Sequence, residues 1–180
     1  MSTGSMLPGA PPVSPLTPDC ERCCGLCCVA PALAASPDFA IDKRAGEPCP
    51  NLTGHFRCRI HDRLRAEGFR GCVAYDCYGA GQKVTQVTFG GRDWRRSPEF
   101  APQMFEVFGV MRQVHALLLH LTQALRLGAA EPLHAELRRK LEQLEGHSMQ
   151  GPEALLHLDV RSLRTEVDDL LLRVGALVRA

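Results

Sequence analysis

Nine cysteines, all between Cys20 and Cys77, constrain this chain more than any other feature. Cys20, Cys23, Cys24, Cys27 and Cys28 form one short run, and Cys49, Cys58, Cys72 and Cys77 follow at wider intervals. Closely spaced thiols joined by loops to more distant ones are how structural zinc and iron–sulfur sites collect their ligands. The first nineteen residues carry Pro, Ser, Thr and Gly but no basic patch followed by an apolar core, so they do not read as a secretory signal. Nor does any uncharged apolar run reach the length that spans a bilayer. A cytoplasmic chain is expected, in a compartment that keeps thiols reduced and so turns a dense cysteine pattern toward metal or redox chemistry and away from disulfides. An odd number of thiols also cannot pair fully within one chain.

The charge balance excludes one class of partner. With 21 basic and 20 acidic residues the net charge is +1, which gives no global attraction to nucleic acid or to an anionic membrane. A local patch exists at Arg92, Trp94, Arg95 and Arg96, and a solvated turn is its simplest reading.

Composition divides the chain into a disordered arm over 1–19, a cysteine-rich region with its connector over 20–97, and a helical segment over 98–180. Within the connector, Lys83-Val-Thr-Gln-Val-Thr-Phe89 is rich in β-branched residues and flanked by glycines, which predicts one short strand. Past Pro98 the apolar residues Met104, Phe105, Phe108, Met111, Val114, Leu118, Leu121 and Leu125 recur at helical steps up to a stop at Gly128. A second helix is predicted from about Pro132 to Glu145 on the stripe Leu133, Leu137, Leu141 and Leu144. A third follows a short turn at Pro152 to Leu158, with Asp159 as its N-cap and Leu163, Val167, Leu170, Leu171, Val174 and Leu177 facing inward. The expected fold class is therefore mainly α: a small metal-stapled cysteine domain followed by three antiparallel helices. His115 and His120, five residues apart on the first helix, are expected on its polar face.

If Cys20 to Cys28 is helical, its five sulfurs share one broad face. Gathering thiolates is unfavourable without a cation, and a metal turns that repulsion into coordination. Eight or nine thiolates suit two four-ligand sites, or one cluster with spare thiols. Soft sulfur ligands select zinc or an iron–sulfur cluster, with Cu(I) behind them, and exclude magnesium and calcium. His55 and His61 flank Cys58 as alternative ligands. No motif organises catalytic groups, which points away from an enzyme and toward a regulatory or interaction module whose helices meet a protein partner. A redox or metal-handling protein, with the cluster or ion as active centre, is the alternative.

Specific motifs carry a resemblance. Cys20-x-x-Cys23-x-x-x-Cys27-Cys28, Gly46-Glu-Pro-Cys49-Pro-Asn-Leu52, Phe56-Arg-Cys58-Arg-Ile60 and the closing Cys72 and Cys77 resemble the eight-cysteine YkgJ-like domain, described as zinc- or iron-chelating. The likeness implies Cys20, Cys23, Cys27, Cys28, Cys49, Cys58, Cys72 and Cys77 as metal ligands and leaves Cys24 supernumerary. The pattern departs from that domain at Cys24 and in lacking an Arg-Pro step before Cys72. The segments Asp38 to Lys43, Gly68 to Cys72, Tyr75 to Gln82, Gln86 to Gly91 and Met111 to His115 resemble the non-repeat N-terminal part of actinobacterial pentapeptide-repeat proteins. Between residues 1 and 180 there is no Ala-(Asp/Asn)-Leu-x-x repeat, so neither a β-helix nor a DNA-mimic role is implied. The likeness brings no assigned reaction.

Overall fold

The computed structural model describes residues 16–180, which are mainly helical, with a cysteine-rich region preceding the long helices. The arm expected over 1–19 lies outside the described residues up to residue 15. Its end is anchored: buried Gln82 donates to the Thr17 carbonyl at 2.8 Å and accepts from the Asp19 amide at 3.1 Å.

From Cys20 to Ser97 every helical element is short. After a 3-10 turn at Cys20–Arg22 come α1 (Leu26–Val29), α2 (Arg70–Ala74) and α3 (Ala80–Gln82). Only isolated antiparallel bridges join the intervening loops: Leu33 with Lys43, Ser36 with Phe39, and Leu52 with Cys58. The strand predicted over Lys83–Phe89 is not present. Lys83–Thr88 instead forms a π-helical turn continuing α3. β-branching favours a strand only where the residue packs on a pleated surface. Here Thr85 bonds back to the Gly81 carbonyl at 2.9 Å, and Val84 is fully buried in a core shared with Met104 and Met111.

The C-terminal half follows the apolar periodicity. A 3-10 turn at Pro98–Phe100 leads into α4 (Ala101–Ala124). A second 3-10 segment, Gly128–Leu133, leads into α5 (His134–Ser148), so the predicted second helix starts two residues late and runs three residues further. The short α6 (Pro152–Leu156) and the long α7 (Val160–Arg179) follow. Asp159 caps α7, its carboxylate accepting from the Ser162 amide at 3.0 Å. Val114, Leu117, Leu118 and Leu121 of α4 close a core with Leu137 and Leu144 of α5 and with Leu163, Val167, Leu170 and Val174 of α7.

α4 serves two cores. Its N-terminal half, through Met104, Val107, Phe108 and Met111, packs on Cys24, Leu26, Val29, Ala80, Val84 and Phe89 of the cysteine region and on Leu155 of α6. The cysteine lobe thus uses a bundle helix as its floor. His115 lies between these contacts and is fully buried, not on the polar face where the five-residue spacing placed it. Its Nδ1 is 2.6 Å from the Tyr78 carbonyl, so it faces the lobe. Among the described residues no helix is long and apolar enough to cross a membrane.

Candidate metal centre

The run Cys20–Cys28 does not form one helical face. Cys23 is extended (φ −115°, ψ 139°) and Gly25 is left-handed (φ 73°), breaking the segment into two turns. That break rotates Cys24 away from its neighbours. Cys24 is buried in the shared core, where its amide donates to Thr85 Oγ1 at 3.2 Å and its sulfur lies 3.3 Å from the same oxygen. The Thr85 hydroxyl proton is committed to the Gly81 carbonyl, so the Cys24 thiol is the donor in that contact. A second contact, 3.7 Å to the Met104 sulfur, leaves Cys24 bonded as a neutral thiol.

Its neighbours face elsewhere. Cys20, Cys23, Cys27 and Cys77 line one small cavity with Gly81 and Phe108. Its volume, about 20 Å³, suits a water or a single ion and no organic ligand. Gly81 is part of the cradle: a β-carbon there would stand 2.7 Å from the Cys23 sulfur and 3.9 Å from that of Cys77. The Leu26 and Gly25 amides favour a thiolate at Cys23. Even so, burial, the dominant influence, pushes the Cys23 thiol up to about 12. Tyr75 neighbours these thiols, and its pKa is pushed up first by burial and then by the thiols of Cys27, Cys77 and Cys23. Arg112 stacks on Tyr75 at 4.8 Å and donates to the Asp76 carbonyl at 3.1 Å, fixing the strand of chain that delivers Cys77.

Cys28, Cys49 and Cys58 neighbour Cys72 in a second group. The Cys49 amide donates to the Cys28 carbonyl at 2.9 Å, and the Leu52–Cys58 bridge folds Cys58 back toward Cys49. Burial, then the charges of Cys28, Cys49 and Cys58, push the Cys72 thiol up to about 11. The Ile60 amide points at the Cys58 sulfur. Lys43, only 6% exposed, donates to the carbonyls of Val29 (3.0 Å), Arg44 (3.0 Å) and Glu47 (2.8 Å). Burial lowers its pKa, while the neighbouring Cys49 and Cys28 thiolates and Glu47 favour its charge. The three carbonyls occupy all three ammonium protons, so the cation is fixed beside these thiols.

The two groups meet at Cys27 and Cys28, whose sulfurs are 3.9 Å apart. This contact, then burial, raise the Cys27 pKa, whereas the same contact lowers that of Cys28 against its burial, and Lys43 lowers it further. Among the described residues no three His, Cys, Asp or Glu side chains already stand close enough to hold an ion. Cys20, Cys23, Cys27 and Cys77 share a cavity without being drawn to bonding distance. What fits a soft metal is the donor set itself: soft sulfurs, amides aimed at them, a glycine cradle and a fixed cation.

His55 and His61 are exposed. In the basic patch Arg92, Arg95 and Arg96 are exposed, as in a solvated turn, and Arg95 with Trp94 also ties loops together. Arg95 lies between Phe56 (4.5 Å) and Trp94 (4.8 Å) and donates to the Thr53 and Gly54 carbonyls, while Trp94 donates to the Cys24 carbonyl at 2.8 Å. Sequence reasoning missed Lys43 and Gly81, which have no local motif; their roles come from chain segments folded against them.

Over 165 residues the chain is 52% identical to the uncharacterized protein YybG of Bacillus subtilis (strain 168). The match covers 92% of this chain and 59% of that protein, so the chain spans about three-fifths of the relative's length. No family model matches the chain, and no solved structure matches it.

Proposed function

We propose that this chain is a thiolate metal-binding protein, a regulatory or interaction module whose N-terminal lobe is stapled by zinc or an iron–sulfur cluster. The observation that carries this reading is a sorting: four thiols line one small cavity, Cys28, Cys49 and Cys58 neighbour Cys72, and the ninth, Cys24, is bonded away into the core. A lobe of small buried hydrophobes would have no reason to separate its cysteines in this way. The resemblance to the eight-cysteine chelating domain supports the same eight residues. When bound, the metal supplies a multivalent tie among loops that share few apolar contacts. The chain's own residues do the rest: Lys43 balances thiolate charge, the Gly25, Leu26 and Ile60 amides orient sulfurs, and Trp94 and Arg95 strap the loops. The helices present the exposed side chains Leu172 and Val178 to a protein partner. Reduced thiols of this kind belong in the cytoplasm.

Exposed Cys20 favours the alternative, a redox or metal-handling protein, because one wall of its site opens to solvent. Elemental analysis with an absorption spectrum on anaerobically purified protein tests both. Bound zinc without colour supports the module, and a visible iron–sulfur chromophore supports the redox reading. Free thiols with no metal above trace would sink both.

A further inference from the structure

We propose that the eight thiols divide at the Cys27–Cys28 peptide into two four-sulfur sites, one formed by Cys20, Cys23, Cys27 and Cys77, the other by Cys28, Cys49, Cys58 and Cys72. This deepens the metal-binding reading and rests on it.

The dividing element is α1. Successive residues on a helix point about 100° apart, so neighbouring cysteines on one helix face different directions. Cys27 packs with Cys23 and Cys77 against the shared core, and all three line the small cavity that Cys20 closes. Cys28 is not among the cavity's lining residues. Its carbonyl takes the Cys49 amide, and its sulfur shares the neighbourhood of Cys49, Cys58, Cys72 and the Lys43 ammonium. Each group therefore holds four sulfurs, the full complement of a closed tetrahedral zinc site. Each also draws on separate parts of the chain: the first joins residues 20–27 to Cys77, and the second joins Cys28 to the 49–72 loops. Adjacent cysteines at the crossing tie the sites together mechanically, while each sulfur serves one centre.

The surroundings make the two sites unequal. The second holds a buried fixed cation, and the first is walled by Gly81 and Phe108 with an exposed edge at Cys20. A tetrathiolate zinc centre carries net negative charge, which Lys43 offsets at the second site.

Zinc content of the full chain, purified anaerobically with zinc supplied, tests the division. The wild type is expected to hold two ions. The paired substitutions Cys23→Ser with Cys77→Ser, and Cys49→Ser with Cys72→Ser, are each expected to leave one, and all four together none. A pair that removes all zinc, or none, would overturn the division. Should a paired variant lose its fold by circular dichroism, native mass spectrometry of the partly chelated wild type decides. A chain carrying one ion supports two sites, whereas passage from fully loaded to empty with no singly loaded chain overturns them. A wild type that holds no metal at all would instead overturn the metal-binding reading.

Discussion

The cysteine lobe and the helical bundle solve the same problem by opposite means. In the bundle, helices of 24, 15 and 20 residues bury Leu117, Leu121, Leu137 and Leu144 completely, and cohesion comes from apolar area that any well-packed leucine would supply. In the lobe the longest helical element is six residues, and several of its cross-links are polar: Lys43 to three carbonyls, Trp94 to Cys24, Arg95 to Thr53 and Gly54. A bundle built on area tolerates local change and fails gradually. A lobe built on a few directed ties depends on each of them. The shared helix α4 decides how far failure in one half reaches the other.

The largest expected effect separates the halves. Structural zinc sites are worth on the order of 10 kcal/mol of folding free energy. A strong chelator should therefore abolish amide protection from Cys20 to Ser97 and at the α4 residues that floor the lobe, Met104 to Met111. Protection at Leu121, Leu144 and Val167 should persist, with most helical circular dichroism. Loss of both sets together would show that α4 welds the molecule into one cooperative unit. In the opposite direction, Leu121→Ala should cost about 2–5 kcal/mol by leaving a cavity among α4, α5 and α7. Thermal unfolding should show the bundle weakened while zinc content stays at the wild-type value.

These two experiments also mark what the sequence could and could not show. Three helices were legible because their leucines repeat at the helical period and because Asp159 and Pro152 sit at boundaries where backbone rules are strict. The nine cysteines stood out by density, and the resemblance to the eight-cysteine domain narrowed them to eight candidate ligands. Lys83–Thr88 misled because its β-branched residues serve contacts from distant segments, Cys24 and Met104 among them, that no local window contains. His115 misled for the same reason: helical spacing gives the angle between two residues but not what packs above them. The motif set Cys24 apart, and the contacts that hold it in the core, to a hydroxyl whose proton is already used, exist only after residues 24, 81 and 85 meet.

A smaller effect is expected at Lys43. Lys43→Met removes a cation and leaves three carbonyls short of donors, a cost of about 1–3 kcal/mol for a buried group left unpaired. Chelator withdrawal of zinc should become faster for part of the bound metal only. Uniform acceleration would mean that Lys43 supports the whole lobe and not one group of thiols.

The junction responds to pH. Burial lowers the His115 pKa below its ordinary 6.5, so the folded chain keeps this ring neutral while the unfolded chain protonates it. Stability from His115 is therefore present above pH 6.5 and declines as pH falls through 6.5 toward the lowered folded value. Lys83, the neighbouring cation, pushes in the same direction. Thermal melts at pH 7 and pH 5.5 should show a smaller acid loss for His115→Gln than for the wild type. An equal loss would place the acid sensitivity elsewhere.

The smallest effect belongs to the ninth cysteine, and it bears most directly on the sorting of thiols. Cys24→Ser keeps a hydroxyl that can donate to Thr85 Oγ1, so the hydrogen bond survives while the sulfur contact with Met104 is lost. The expected cost is about 1 kcal/mol, the scale of one modest buried interaction. Zinc content should equal the wild type, because Cys24 faces the core shared with α4 and its proton is held there. Cys23→Ser, one residue away, should lose metal, since the Cys23 sulfur lies in the cavity against Gly81 with the Gly25 and Leu26 amides pointed at it. The pair places a one-residue step in sequence against a change of side in the fold. If Cys24→Ser lost metal as readily as Cys23→Ser, the extended break at Cys23 would not separate their roles, and a single convergent face of five thiols would account for the lobe better than two groups of four.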